Sequence, residues 1–139
     1  MDEHDLERFV DAQADSHATA LAELRRGRKE SHWMWWVFPQ LAGLGRSATA
    51  RHYAIRSAAQ ARAYLAHPLL RERLIEAAQA VAAVPGSAEA IMGAVDAMKL
   101  RSSMTLFEAV AADPAPFRAV LDRFGGERDG VTLRILAEA

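Results

Sequence analysis

Most apolar positions in this chain recur at helical spacing. Leu6, Phe9, Val10 and Gln13 follow one turn after another, with Asp5 placed as an N-cap. Ala20, Leu21 and Leu24 form the inward face of a second segment from Ser16 to Arg26, and Gly27 is its natural stop. Asp15-Ser16 either separates the two segments or lies inside one bent helix. Ser47 to about Ile55 and Ser57 to about Ala66 read as helices, the latter with Ala61, Tyr64 and Leu65 inward. Pro68 suits the first turn of a helix reaching about Val84, with Leu70, Leu74, Ala77 and Val81 on one stripe. Pro85-Gly86 ends it, and Ser87 to Met92 adds a turn or two. Asp96 is placed to cap a helix to about Ala112, with Leu100, Met104, Phe107 and Ala111 as its stripe. Phe117, Val120, Leu121 and Phe124 mark a further amphipathic helix, stopped by Gly125-Gly126. From Gly130 the pattern reads two ways: Val131, Leu133 and Ile135 alternate as in a strand, while Thr132 to Ala137 also fits a short helix.

One stretch breaks the amphipathic pattern. Ser31 to Gly45, SHWMWWVFPQLAGLG, holds all three tryptophans. Ser31 can cap a short helix from about His32 to Phe38. On its wheel His32, Trp35 and Trp36 share a side, and the apolar positions run all round, as in a helix buried on most sides. Pro39 disfavours helical geometry at Phe38 and ends it. The following glycines make LAGLG a tight loop.

Composition fixes the class. The 139 residues are 51% apolar and 25% charged, enough to bury a core in a single domain over 1–139. Alanine is abundant and β-branched residues are few, which favours helix throughout. The expectation is an all-α fold, a compact irregular array of six to eight helices. The formal net charge of -1 argues against general nucleic-acid binding. No apolar run approaches the ~18 residues of a membrane span, and the acidic N-terminus is no signal peptide. A cytoplasmic location is therefore expected. With no cysteine, disulfides, thiolate metal sites and a cysteine nucleophile are excluded. No metal or cofactor is expected: the five histidines include no i, i+4 pair, and no phosphate-loop, dinucleotide or hydrolase fingerprint is present.

Candidate chemistry gathers in three places. In the tryptophan stretch, His32 lies one turn from Trp35 and Trp36, where an imidazole can bond a ligand held between aromatic faces. A core histidine hydrogen-bonded to backbone fits the same spacing. At least one indole should reach a cleft or surface, since its N–H needs a partner. In KLRSSMTLF, Lys99 and Ser103 lie on one flank of a helix and Arg101 on the other. A snorkelling lysine, helix-packed serines and a structural arginine would explain them equally. Ser103 and Lys99 are i, i+4, but no oxyanion motif accompanies them, so no catalytic residue is assigned. Gly45-Arg46-Ser47 opens a helix, where backbone N–H groups beside Arg46 suit an anion and Ser47 equally suits a plain cap. Arg28 and Lys29 extend the positive region, and Gln13, Gln40 and Tyr53 supply neutral hydrogen-bonding groups. Two functions follow. One is a pocket, enzymatic or simply binding, for a small nucleotide-like or other anionic molecule between residues 31–45 and 99–107, formed by His32, Trp35, Trp36, Arg46, Ser47, Lys99, Arg101 and Ser103. The other is an interaction or homodimer surface without catalysis.

The segments GRKESHWMWWVFPQLAGLGRSATARHYAI, ARAYLAHPLLRERL and KLRSSMTLF resemble a bacterial and fungal family, "domain of unknown function 1810", whose fold is called Rv1873-like. The resemblance runs from LERFVDAQ to the TLRIL tail. It implies an all-α domain and no established activity, so it assigns no site residue. Some members carry the label calpastatin. The core-rich composition here argues against that label, because such inhibitors are extended chains.

Overall fold

The computed structural model describes residues 4–138. Among them are ten helices and no strand: α1 (Glu7–Ala14), α2 (His17–Arg25), α3 (Met34–Val37), α4 (Ala48–His52), α5 (Ala58–Ala66), α6 (Pro68–Ala83), α7 (Ala88–Met92), α8 (Ala94–Val110), α9 (Ala115–Arg123) and α10 (Gly130–Glu138). The expected six to eight is an undercount. The two ambiguous places both resolve toward more helices: the chain breaks at Asp15-Ser16, and the tail after Gly130 is a helix.

Boundaries follow local chemistry where a serine or proline stands at them. Ser57 and Ser87 accept the N–H three residues on, and Pro68 occupies the first turn of α6. Three expected caps are corrected. Asp5 has φ +51°, and Leu6 takes the cap position of α1 without a side-chain bond. Ser31 caps nothing, because Glu23 takes both its N–H and its hydroxyl and α3 begins only at Met34. Asp96 lies inside the first turn of α8, and Gly93, at φ +85°, stands at its cap.

The long helices α6 and α8 carry the core, with α2 and α9 against α6 and α7 and α9 against α8. Buried rings run through it: Phe9 meets Tyr64 edge-on at 5.2 Å, Tyr64 lies 5.3 Å from Phe107, and Phe107 lies 5.8 Å from Phe117. Trp33 and Phe38 are buried in the same core, while Trp35 and Trp36 are half-buried.

Two devices hold the loop after Pro39. Leu41 and Ile55 form an isolated parallel bridge: Ala42 N–H donates to Ile55 O at 2.7 Å and Ile55 N–H to Gln40 O at 2.8 Å. Arg8, buried on α1, donates to His52 O at 2.9 Å and Ala54 O at 2.8 Å and anchors the end of α4. Gly45 then packs directly on α4, where a Cβ on it would lie 2.5 Å from Ala50 Cβ. No helix among the described residues is long and apolar enough to cross a membrane.

Candidate functional site

The tryptophan stretch is set in place by a carboxylate that local pattern does not single out. Glu23, on the inner side of α2, accepts N–H bonds from Glu30 at 2.7 Å and Ser31 at 2.8 Å. It also accepts the Ser31 hydroxyl and, at 3.0 Å, the Trp33 indole N–H. Burial pushes its carboxyl up, but the bonds from Ser31, Glu30 and Trp33 outweigh it and bring the pKa down to about 2. A buried anion is tolerable here because donors surround it.

The turn so fixed delivers Lys29. Its N–H donates to Ile91 O at 2.8 Å, tying the turn to α7. Its ammonium, with the side chain 7% exposed, donates to Ser31 O at 2.6 Å and meets Asp96 at 3.0 Å. It also stands over the Trp33 ring at 4.9 Å. Asp96, in the first turn of α8, is shared: its other oxygen lies 3.7 Å from Lys99 Nζ. The Lys99 ammonium stands over the Trp35 ring, 5.1 Å from the centroid. Two cations therefore share one carboxylate beside an aromatic face.

The three indoles are treated differently. Trp33 N–H is spent on Glu23, and Trp36 N–H on the Ser16 hydroxyl at 2.8 Å. Trp36 is further held by Tyr53, 5.1 Å away, and its carbonyl accepts Gln13 Nε2 at 2.8 Å. Trp35, 6.0 Å from Trp36, has no acceptor for its N–H among the described residues. Lys99 likewise has no acceptor within hydrogen-bond distance among them. Trp35 also borders a slot toward the glycine loop, walled by Gln40, Gly45 and Tyr53, with a volume of ≈ 10 Å³. That is room for about one water. The Gln40 side-chain amide has no hydrogen-bond partner among the described residues either.

The eight residues expected at the site divide. Trp35 and Lys99 meet. Trp36 lies next to them but is held in place by Ser16 and Tyr53. His32 is exposed, precedes α3, and makes no ring contact with either tryptophan. Arg46 is exposed without an ion pair among the described residues, and Ser47 Oγ accepts Ala50 N–H at 3.0 Å as a cap. Arg101, on the opposite flank of α8, pairs with Glu127 at 3.6 Å over a separate crevice between α8 and α9. Ser103 is fully buried, and its hydroxyl has no partner among the described residues, Lys99 included. Among the described residues no three His, Asp or Glu side chains gather as a metal-ligand set.

The sequence profile described as "Protein of unknown function (DUF1810)" matches residues 3–136. The chain belongs to the DUF1810 family. It is also similar to a solved structure, the conserved hypothetical protein Rv1873 from Mycobacterium tuberculosis, at 49% identity and a TM-score of 0.93, covering 96% of each chain. None of the curated proteins matches it. This member of the family is thus all-helical and of the Rv1873 type.

Proposed function

We propose that this DUF1810 protein binds a small anion bearing a planar group, at Trp35 and Lys99. One observation carries the reading. Two of the three indole N–H groups are satisfied by the protein, whereas that of Trp35 has no acceptor among the described residues and stands beside an ammonium that also lacks one there. Polar groups held in place but unspent are what a binding site has to offer. Asp96 and the indole keep the ammonium beside the ring, where an anionic group on the ligand can meet it. The slot is shallow, so the planar group rests against Trp35 rather than inside a deep cavity. The reading is of binding, with no catalytic role assigned.

The test is a thermal-shift screen of the full chain with AMP, ADP, ADP-ribose and aromatic carboxylates. A rise in Tm with planar anions, lost in Trp35→Leu, supports the proposal. No shift with any of them overturns it. A second reading, contact with a partner protein or a second copy, is favoured by Val95 and Met98. They stand i, i+3 on α8 at 66% and 67% exposure. Light scattering on the purified chain decides whether it self-associates.

A further inference from the structure

The aromatic surface of the site already has an occupant. The Lys99 ammonium stands over the Trp35 ring at 5.1 Å, and Asp96 holds it there from 3.7 Å. A planar ligand that seeks this indole face meets the ammonium first. The side chain is 25% exposed, so it can swing aside on its four-carbon stem without opening the core. What it gains by moving depends on the ligand. A neutral ring takes the face and returns nothing to the ammonium, which loses its cation–π contact. A ring that carries its own anionic group returns an acceptor, and a charge-assisted hydrogen bond outweighs an exposed cation–π contact. Lys29 does not substitute, because Ser31 O, Asp96 and the Trp33 face already engage its ammonium.

From this geometry we infer that Lys99 is the specificity determinant of the site. It admits planar heteroaromatic ligands whose anionic group lies close to the ring, such as aromatic carboxylates, and turns away their neutral counterparts. The inference rests on the binding reading above and names the ligand class for it. Trp35 N–H and the Gln40 amide are the neighbouring donors that a second acceptor on such a ring can use.

The test uses a matched pair of probes, nicotinate and nicotinamide, which share a ring and differ in charge, together with inorganic phosphate. Each is titrated by calorimetry into wild type, Lys99→Met and Lys99→Arg. Wild type should bind nicotinate at least about tenfold more tightly than nicotinamide, the scale of one hydrogen bond to a charged group. Lys99→Met should bring the two within about twofold, and Lys99→Arg should keep the preference, since it keeps the charge. Phosphate should bind more weakly than nicotinate. Equal binding of the pair by wild type overturns the inference, as does a preference that survives Lys99→Met, or phosphate binding as tightly as nicotinate. These outcomes leave the broader reading standing. Failure of both ring probes while nucleotides still raise Tm also removes the inference alone, and failure of every planar anion removes both. The Tm and near-ultraviolet circular dichroism of each variant establish that it is folded.

Discussion

Replacing Glu23 by glutamine keeps the shape of the side chain and removes its charge. The carboxylate is buried and accepts four hydrogen bonds, from Glu30 N–H, Ser31 N–H, the Ser31 hydroxyl and the Trp33 indole. Its pKa stands at about 2 against the ordinary 4.5. At ~1.4 kcal/mol per pKa unit, the charged form is favoured over the neutral one by about 3 kcal/mol more in the folded state than in the unfolded chain. Glutamine stands in for the neutral form, so Glu23→Gln should cost about 3 kcal/mol at pH 7. The folded-state pKa is depressed, so this stabilisation is fully present above the unfolded value of 4.5 and fades as pH falls toward 2. The difference between wild type and variant should remain about 3 kcal/mol at pH 5 and shrink to roughly half of that at pH 3. Urea unfolding of both proteins at pH 7, 5 and 3, followed by far-ultraviolet circular dichroism, measures it. A cost below about 0.5 kcal/mol at pH 7, the level of an ordinary surface change, would refute the reasoning. So would a larger cost that does not shrink in acid.

Two further predictions concern other parts of the frame. Gly45→Ala places a methyl 2.5 Å from Ala50 Cβ, which cannot rotate away. Overpacking of this kind costs about 1–3 kcal/mol, read as a lower Tm, with a change in tryptophan fluorescence as the loop beside Trp35 shifts. Glu108 accepts from Arg128 and Arg118, and the Arg128 bonds above all hold its carboxyl below the ordinary value against the opposing effect of burial. Its contribution is therefore present at neutral pH and lost in acid. Glu108→Gln should lower Tm at pH 7, with the gap to wild type closing as pH falls below 4.5.

Much of the helical frame is legible in the sequence because its boundaries are made by local chemistry. Ser57, Pro68 and Ser87 act on residues one to three positions away, so their spacing predicts them. The wheel of α8 also holds: Lys99 and Arg101 go to opposite flanks and meet different carboxylates. The wheel of the tryptophan stretch extrapolates too far. Its helix is a single turn from Met34 to Val37, so His32 falls outside it and makes no ring contact with Trp35 or Trp36. The connections that build the site are long-range and leave no periodic trace. Lys29 finds Asp96 across 67 positions, and Glu23 takes the donors of Ser31 that would otherwise make a cap. A hint of Glu23 exists in its place three residues after Ala20, on the inward side of α2, where a charged residue needs partners. Nothing in the spacing says which of three neighbouring indoles keeps a free N–H, because the acceptors Glu23 and Ser16 come from an earlier helix and its cap.

The indole N–H signals of the ¹⁵N-labelled protein test the site most directly. Trp33, Trp35 and Trp36 give three separate resonances, assigned by Trp→Phe variants. In the free protein, Trp35 N–H should exchange with solvent fastest, since Glu23 and Ser16 hold the other two. On titration with nicotinate its resonance should move furthest, with those of Trp33 and Trp36 nearly still. Equal exchange of all three, or a titration that leaves Trp35 unmoved while nicotinate binds, would contradict the placement of the site.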